Sequence, residues 1–309
     1  MHALGAPNFT LEELKNAIEY AHIRNVKVHL ALNILIKNEE FLDALSVAEK
    51  AYEYGVDAII VQDLGLATTL IEHFPNLDIH ASTQMTTNNL NGVKTLENLG
   101  FKRAVLSREL SLQEIEYICR NTNMEIETFI HGALCISYSG QCLLSSMIGG
   151  RSANRGKCAQ ACRLPYDLLQ DDKVIDSGYL LSPRDLCGLE LIPSLIDAGV
   201  TSFKIEGRLK SPEYVAIVTK VYRKYIDMYY SSKKFEIDQK DMDELRQVFN
   251  RGNFSTGHLN IEPNRNLVYK EKQNNMGIYI GNVANYNDSK GHITLNLNEA
   301  VALRRFYNF

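Results

Sequence analysis

Short apolar runs alternate with amphipathic segments through the first two thirds of the chain. Each run is brief and rich in Val, Ile, Leu or Phe, which is typical of strands buried on both faces of a sheet. The predicted strands are Val26–Leu32, Ala58–Gln62, Asp78–Ser82, Arg103–Ser107, Glu127–His131 and Ser202–Glu206.

Helix-start signals lie between these runs. Two segments carry a Ser or Thr followed three residues later by Glu, the pattern of a capping box, and a third pairs a serine N-cap with a proline at the first helical position. These segments are Thr10–Glu13, Ser111–Glu114 and Ser211-Pro212. We also expect helices beginning near Arg184, from Pro212 to about Tyr230, and near Gln239–Phe249.

The alternation of strands and helices predicts an α/β fold with a parallel sheet. A closed (β/α)8 barrel, as in triosephosphate isomerase (TIM), needs eight strands, and the pattern supplies six. The chain opens on a turn and a helix, so two strands ahead of residue 1 would complete a TIM-like barrel. The alternative is an open, doubly wound sheet.

The last two predicted strands are separated by about 70 residues, far more than a simple crossover requires. We therefore expect a barrel domain over residues 1–265, interrupted at 132–201 by a cysteine-containing insertion and the helix that follows it. From about Gly277, alternating apolar residues and Gly/Asn turns predict a partial small β domain over residues 266–309, which stops without completion.

Composition narrows the class of protein. The chain has 309 residues, 45% of them hydrophobic and 23% charged, with a net charge of -4, which is typical of a soluble globular protein. No apolar stretch reaches the roughly 18 residues of a membrane span, and the first ten residues lack a signal-peptide pattern. We therefore expect a cytoplasmic protein whose cysteines are not paired in disulfides. The net charge argues against a strongly basic nucleic-acid binder, although a local basic patch can still bind RNA.

Four cysteines fall within 28 residues in the pattern C-x6-C-x15-C-x3-C: Cys135, Cys142, Cys158 and Cys162. Clustered thiolates in such a chain indicate a metal or an iron–sulfur cluster. The C-x6-C spacing fits the knuckles of structural zinc poorly, whereas the C-x3-C spacing alone would suit them. The alternative is four ordinary free or buried cysteines.

The charge around the quartet is uniformly positive. No Asp or Glu occurs between Glu127 and Asp167, while Arg151, Arg155, Lys157 and Arg163 lie in that segment. A basic surround would offset the charge of an anionic cluster. Of the two remaining cysteines, Cys119 occupies an apolar helical position that favours the core. Cys187 either approaches the cluster or, the interpretation we favour, packs in a helix.

Polar residues follow most of the predicted strands. In a barrel the active site lies at these carboxyl ends. The strand ends read Asn33, Gln62-Asp63, Ser82-Thr83-Gln84, Ser107-Arg108-Glu109, His131-Gly132 and Glu206-Gly207-Arg208. Arg108, Arg208 and Arg163 are candidates for binding an anionic substrate, and His131 and Glu206 for moving protons. The alternative is that strand ends are polar because loops begin there.

Several long motifs resemble the U32 family, known as collagenase-like peptidases. They read EIETFIHGALCISYSGQCLLSS, NRGKCAQACRLPY, YLLSPRDLC, SFKIEGRLKSPEYVA and RGNFSTGHL. The resemblance runs from about Asn8 to Leu259, and weakly on to about Leu297.

The resemblance implies chemistry that spacing alone does not. Members of the family hydroxylate the wobble uridine of tRNA in a prephenate-dependent way, hydroxylate a ribosomal RNA cytidine, or act in oxygen-independent ubiquinone synthesis. In these relatives four cysteines hold a [4Fe-4S] cluster, and Cys135, Cys142, Cys158 and Cys162 match those positions. The wording HGALC-x4-GQC and CAQACR is most similar to the tRNA branch. The expected substrate is therefore tRNA, with prephenate as cosubstrate and a U32-family paralogue as a candidate partner.

Two other functions stay open. One is the peptidase of the family label, and the other is a zinc-stabilised RNA-binding scaffold without enzymatic activity. The chain also departs from the family pattern, because it lacks the opening strand–helix–strand with an Ala-Pro-Ala-Gly-like turn. That departure agrees with the two strands that the apolar pattern does not supply.

Overall fold

The computed structural model describes residues 8–260 and 267–298. The helices in these ranges are α1 Leu11–His22, α2 Phe41–Glu53, α3 Leu64–His73, α4 Leu90–Asn98, α5 Leu112–Arg120, α6 Leu144–Gly149, α7 Ile192–Asp197, α8 Pro212–Ser232 and α9 Gln239–Val248. The strands are β1 His29–Leu32, β2 Ala58–Val61, β3 Asp78–Ala81, β4 Arg103–Val105, β5 Glu125–Gly132, β6 Tyr166–Gln170, β7 Lys173–Gly178, β8 Asp185–Cys187, β9 Ser202–Ile205, β10 Phe254–Ser255, β11 Gly281–Asn287 and β12 His292–Leu297.

One mostly parallel sheet forms the centre of the molecule. Strands β1 to β5 pair in chain order, and β9 pairs with β5 in the same direction. All six predicted strands are present, so the α/β fold with a mostly parallel sheet is confirmed. Among the described residues β1 pairs only with β2 and β9 only with β5, so closure into a barrel stays a prediction.

The end of β5 forks towards a second partner. His131 and Gly132 pair antiparallel with Cys187 and Leu186 of β8, which is parallel in turn to β10. Before this fork, β5 forms a parallel ladder with β9 that starts at Glu127 and ends where His131 lies opposite Ile205. The fork places the ends of three strands, β5, β8 and β9, beside one another.

Helix starts follow the signals in the sequence. Thr10 and Ser111 each cap a helix with a reciprocal capping box, and the hydroxyl of Ser211 accepts from the N–H of Tyr214 at the start of α8. None of the helices in the described ranges combines the length and the apolar composition that a bilayer-spanning segment needs.

The helix predicted to begin near Arg184 is wrong. Asp185–Cys187 forms the strand β8, and the helix of this region, α7, begins only at Ile192. Three buried residues are too few to show a period, and their pairing with the end of β5 decides their conformation. Cys187 therefore packs within a strand and not within a helix.

The turn-rich segment Gln170–Gly178 forms most of an antiparallel hairpin, β6–β7. Strands β11 and β12 form a second hairpin, as the alternating pattern after Gly277 predicts. The predicted domain boundary at residue 265 lies outside the described residues, as does the end of the chain after residue 298.

A buried charge network crosses the sheet beside the apolar core. Glu127, only 6% exposed, accepts hydrogen bonds from Arg103 (3.1 Å), Lys204 (2.9 Å) and Ser202 (2.7 Å). Burial by itself raises the pKa of Glu127, but the positive charges of Lys204 and Arg103 outweigh burial and lower it below its usual value. The network therefore links β4, β5 and β9 by charge as well as by backbone pairing.

Replacing Glu127 with Gln should destabilise the fold by about 3 kcal/mol, because it leaves the partly buried Lys204 without its counter-charge and removes one of the two carboxylates that pair with Arg103. The matched control is Glu244→Gln, which breaks an exposed pair with Lys220 and should cost at most about 0.5 kcal/mol. Urea denaturation of both variants measures the difference. Equal free energies of unfolding for the two variants would contradict the network's role.

Candidate functional site

The polar strand ends converge on one side of the sheet. The side chain of Asn33 donates to Ser82 (3.3 Å), and that of Gln62 donates to the carbonyl of Gln84 (3.2 Å). The cysteine-containing insertion lies over these ends, because Arg155 donates to the carbonyl of Leu35 (2.7 Å). The expected polar ring is thus brought together beneath the insertion.

Gly132 lets the ends of β5 and β9 approach closely. Its φ is 109°, and a Cβ on this residue would lie 2.6 Å from the carbonyl oxygen of Glu206. Only glycine accepts both the backbone conformation and the contact. The chain then leaves the sheet directly into the segment that carries Cys135.

The four cysteine thiols act on one another electrostatically. Burial raises the pKa of Cys135, and the neighbouring thiols of Cys142 and Cys158 raise it further. Burial also raises the pKa of Cys162, as do the other three thiols, while Arg163 lowers it. Hydrogen bonds bring the cysteine segments together: Arg163, next to Cys162, donates to the carbonyl of Leu134, next to Cys135, and the hydroxyl of Ser145 accepts from the N–H of Ala159, next to Cys158 (3.1 Å).

The gathered thiols do not stand in a metal-ligand arrangement. No group of three or more His, Cys, Asp or Glu side chains within residues 8–260 and 267–298 is positioned to hold a metal ion. The donor chemistry suits a four-thiolate site, because the Sγ of Cys158 also accepts from the backbone N–H of Gln160 (3.3 Å) and lies 3.9 Å from the hydroxyl of Ser145. The assignment of these cysteines as metal ligands stays a prediction.

Two arginines fix the chain just before the first cysteine. Arg108 donates to the carbonyl of Ala133 (2.7 Å), and Arg163 donates to the carbonyl of Leu134 (3.1 Å). Arg163 is 6% exposed, and it also donates to the hydroxyl of Ser182 and to the carbonyl of Pro183. Both guanidinium groups thus position the insertion, and their predicted binding of substrate stays untested.

A second pair of contacts fixes the segment after Cys135. The carboxylate of Glu109 accepts from both the N–H and the hydroxyl of Ser139, at 3.0 and 3.1 Å. The next residue, Gly140, has a φ of 76° and lies against the backbone of Gln84. These contacts hold the first C-x6-C segment against the strand ends.

His131 is buried among aromatic rings and is neutral. Its Nδ1 lies 3.2 Å from the hydroxyl of Tyr222, which donates its own proton to the carbonyl of Ile130 (2.9 Å). His131 must therefore be the donor in their bond, which leaves Nε2 as an unpartnered lone pair. Burial and the charge of Lys210 lower the pKa of His131 to about 3.

Glu206 and Arg208 lie at the end of β9, more open to solvent. The Glu206 carboxylate accepts from the N–H of Arg208 (2.9 Å), and the Glu206 carbonyl accepts from the hydroxyl of Tyr214 (3.0 Å). The Arg208 side chain is exposed. The backbone of Glu206 also donates to the His131 carbonyl (2.9 Å), so both proton-transfer candidates share one strand pair.

Sequence reasoning missed a group of charged residues beside these ends, which we call the Asp185 cluster: Asp185, Lys210 and Arg251. Asp185 and Arg251 form an ion pair (2.8 Å) between side chains that are 2% and 13% exposed. Lys210 and Arg251 both act on the pKa of Asp185. The signals were present in SPRDLC and GRLKSPEY, but nothing in the sequence shows that these motifs meet in the fold.

Gly140→Ala should destabilise the protein by about 2 kcal/mol and loosen residues 133–142. The fold holds this residue at a positive φ, where a Cβ is strained, and the new Cβ would lie 2.8 Å from the Cα of Gln84. Gly149→Ala is the control, because a Cβ there meets no atom within 4 Å. Hydrogen exchange of both variants checks this, and unchanged protection in the Gly140 variant would contradict it.

His131 should keep its Nδ1-protonated neutral form from about pH 8 to pH 5. The unfolded chain takes up this proton near the ordinary pKa of 6.5 and the folded chain only near 3, so this residue stabilises the fold above 6.5 and loses that contribution as the pH falls. Histidine 15N shifts, assigned with His131→Gln, measure the tautomer. Titration of the His131 signals near pH 6.5 would contradict the buried network.

Comparison with known proteins gives one family. Residues 3–268 match the model of Peptidase family U32. The chain is 37% identical to the tRNA hydroxylation protein P1 of Bacillus subtilis over 94% of its own length and 71% of that protein. It is 35% identical to the collagenase of Porphyromonas gingivalis, over 82% of the chain and 64% of that protein.

A third relative is much longer than the match. The 23S rRNA 5-hydroxycytidine synthase of Escherichia coli is 42% identical over 72% of this chain, which spans only 35% of that enzyme. The names of these three relatives refer to different substrates, while the family model covers most of the chain. The chain therefore belongs to peptidase family U32.

Proposed function

We propose that this chain is an iron–sulfur enzyme that hydroxylates the wobble uridine of tRNA. One observation carries the proposal: a chain that aligns over 94% of its length with a tRNA hydroxylation protein folds its four-cysteine insertion over its polar strand ends. The relative named for rRNA hydroxycytidine synthesis supports the same class of reaction on RNA.

Cys135, Cys142, Cys158 and Cys162 would hold a [4Fe-4S] cluster. Such a cluster supplies electron transfer or a Lewis-acidic iron when bound. The protein's own contribution is positioning and charge: Arg108 and Arg163 fix the backbone beside Cys135, and both guanidinium charges lower the pKa of nearby thiols. The N–H of Gln160 would stabilise the thiolate of Cys158.

We infer a (β/α)8 barrel as the scaffold. Strands β1 to β5 and β9 would be six of its eight, because they run parallel in chain order and leave one free edge at each end in the described residues. Two further strands between β1 and β9 would close it. The carboxyl ends of the strands, where the cysteines lie, are where such barrels place their active sites.

Substrate binding would use the positive charge around the insertion. Residues 128–166 contain no Asp or Glu, and Arg151 and Lys157 lie between the second and third cysteines. Basic side chains of this kind bind the phosphates of RNA without reading its sequence. Prephenate would be the cosubstrate, and Arg208 is an exposed cation at the strand ends that could meet it or the RNA.

Proton transfer would fall to Glu206 with the support of neutral His131. The bonds to Tyr222 place the proton of neutral His131 on Nδ1, so Nε2 can only accept a hydrogen bond, and a pKa of about 3 makes it a weak base. The Glu206 side chain is half-buried at the end of β9 and accepts one backbone N–H, which leaves acceptor capacity on its carboxylate.

The second candidate function is proteolysis, which the name of the Porphyromonas gingivalis relative favours. A cysteine peptidase pairs its nucleophile with a histidine. His131 bonds through Nδ1 to Tyr222, and its Nε2 has no partner, so it activates no thiol in the described part of the chain. The geometry thus argues against a cysteine peptidase built on His131.

The test is complementation of a strain that lacks this gene and its U32-family paralogues. The wild-type chain should restore 5-hydroxylation of wobble uridine, read by mass spectrometry of digested tRNA. Cys162→Ser should reduce the modification at least tenfold. Cys119→Ser is the matched control, because Cys119 lies on α5, outside the cluster, and should restore wild-type levels.

Two results would contradict the proposal. One is an unchanged level of wobble-uridine hydroxylation when the wild-type gene is supplied, and the other is full activity of Cys162→Ser. Gelatin cleavage by the purified wild type that persists in Cys162→Ser would favour the peptidase instead.

A further inference from the structure

The Asp185 cluster lies at the ends of three strands and beside the cysteines without containing one. Asp185 begins β8, Lys210 follows β9 and Arg251 precedes β10. The Arg163 guanidinium, which contacts the cysteine segment, also donates to the hydroxyl of Ser182 and the carbonyl of Pro183, just before Asp185. The cluster is therefore next to the proposed reaction centre.

Two of its three charges cancel. The carboxylate of Asp185 and the guanidinium of Arg251 pair at 2.8 Å, and both side chains are largely buried. Arg251 is fixed further, because its Nε donates to the carbonyl of Gln273 (3.1 Å). The ion pair therefore has no net charge, and the hydrogen bonds of Arg251 hold its side chain in place.

Lys210 has no such counter-charge. No carboxylate of the described residues lies within ion-pair distance of its ammonium group, which instead rests over the ring of Phe249 and 5.3 Å from the ring centroid of Tyr214. Aromatic faces attract a cation but do not neutralise it. A half-buried lysine without a direct ion-pair partner costs free energy, although Asp185 and Glu206 offset part of that cost from further away.

The backbone before Lys210 is strained. Leu209 has a φ of 61°, in the left-handed region that a branched side chain rarely adopts, and its side chain is 68% exposed. An exposed leucine gains little from this position. The N–H of Lys210 donates to the carbonyl of Gly207 (3.0 Å), so Leu209 lies inside a turn that fixes the backbone position of Lys210.

Asp185 also carries a polar atom without a hydrogen-bond partner. Its Oδ2 is buried and has no hydrogen-bond partner, while the residue as a whole is 1% exposed. Buried polar atoms without a partner are rare in folded proteins, and each needs an explanation, of which a bound ligand, water or ion is one. The cluster thus lacks one anion at Lys210 and one hydrogen bond at Asp185.

We propose that the Asp185 cluster binds the carboxylate of a small organic acid that bears a hydroxyl group, with Lys210 as the cation that meets the carboxylate. The hydroxyl would donate to Asp185. The burial of Arg251 and Asp185 suits a small molecule, because an RNA phosphate stays on its polymer at the surface. The proposal rests on the proposed function in one respect: it gives a binding site to the cosubstrate of that reaction.

The test measures binding of prephenate, a hydroxyl-bearing dicarboxylate, by calorimetry on the full chain, prepared anaerobically and without RNA. Wild type should bind, and Lys210→Gln should bind at least tenfold more weakly. The matched control is Lys233→Gln, which also removes a lysine stacked on a tyrosine (Tyr229, 4.0 Å) but lies at the end of α8; it should bind as wild type does.

The pH dependence gives a second readout. Burial, Arg251 and Arg163 lower the pKa of Lys210 to about 8, while Asp185 and Glu206 oppose the shift. Tyr214, the other titratable group that packs against it, has its pKa raised by burial and stays protonated in this range. Binding to wild type should therefore weaken as the pH rises through about 8, whereas Lys210→Arg should bind equally at pH 7 and pH 9, because its charge persists.

Three results would overturn the proposal: no binding of prephenate to the wild type, unchanged binding to Lys210→Gln, or equal losses in the Lys210 and Lys233 variants. Because no turnover is measured, a chain that binds prephenate through Lys210 but fails to restore tRNA hydroxylation would overturn only the proposed function. A chain that hydroxylates tRNA without binding prephenate at Lys210 would overturn only this site.

Discussion

One buried side chain, Arg163, fixes the distance between the two ends of the cysteine quartet. It follows Cys162 in the chain, and its guanidinium donates to the carbonyl of Leu134, the residue before Cys135. A guanidinium at 6% exposure must satisfy its donors within the protein, and three acceptors on two segments do so. Moving either cysteine segment would break these bonds, and water could not replace them because the guanidinium is buried.

The groups beside this arrangement are also buried. His131 packs against Tyr214, Tyr222 and Phe254, and Asp185 pairs with Arg251; burial keeps His131 neutral and raises the pKa of Asp185. Lys210 is half-buried, and two arginines act on its pKa. Positive charge is therefore concentrated beside the thiols, where an anionic cluster and an anionic substrate would both be stabilised.

The sequence predicts the sheet well because its strands are buried on both faces and read as apolar runs. Ala58–Val61 and Asp78–Ala81 match their predicted runs to within one residue. The strand Asp185–Cys187 was missed because three residues carry no period and its pairing with β5 is a tertiary contact. Arg163 was predicted to bind substrate, but in the fold its guanidinium donates hydrogen bonds to three acceptors of the protein itself. The Asp185 cluster joins residues 66 positions apart, and no local pattern marks such a pair.

The most direct test of the central claim is the metal content of the protein purified without oxygen. The account predicts about four iron and four sulfide per chain, a brown colour, and the loss of both elements in Cys135→Ser. One zinc per chain without sulfide would contradict it and would favour a zinc-stabilised scaffold. A colourless protein that holds neither metal would also contradict it.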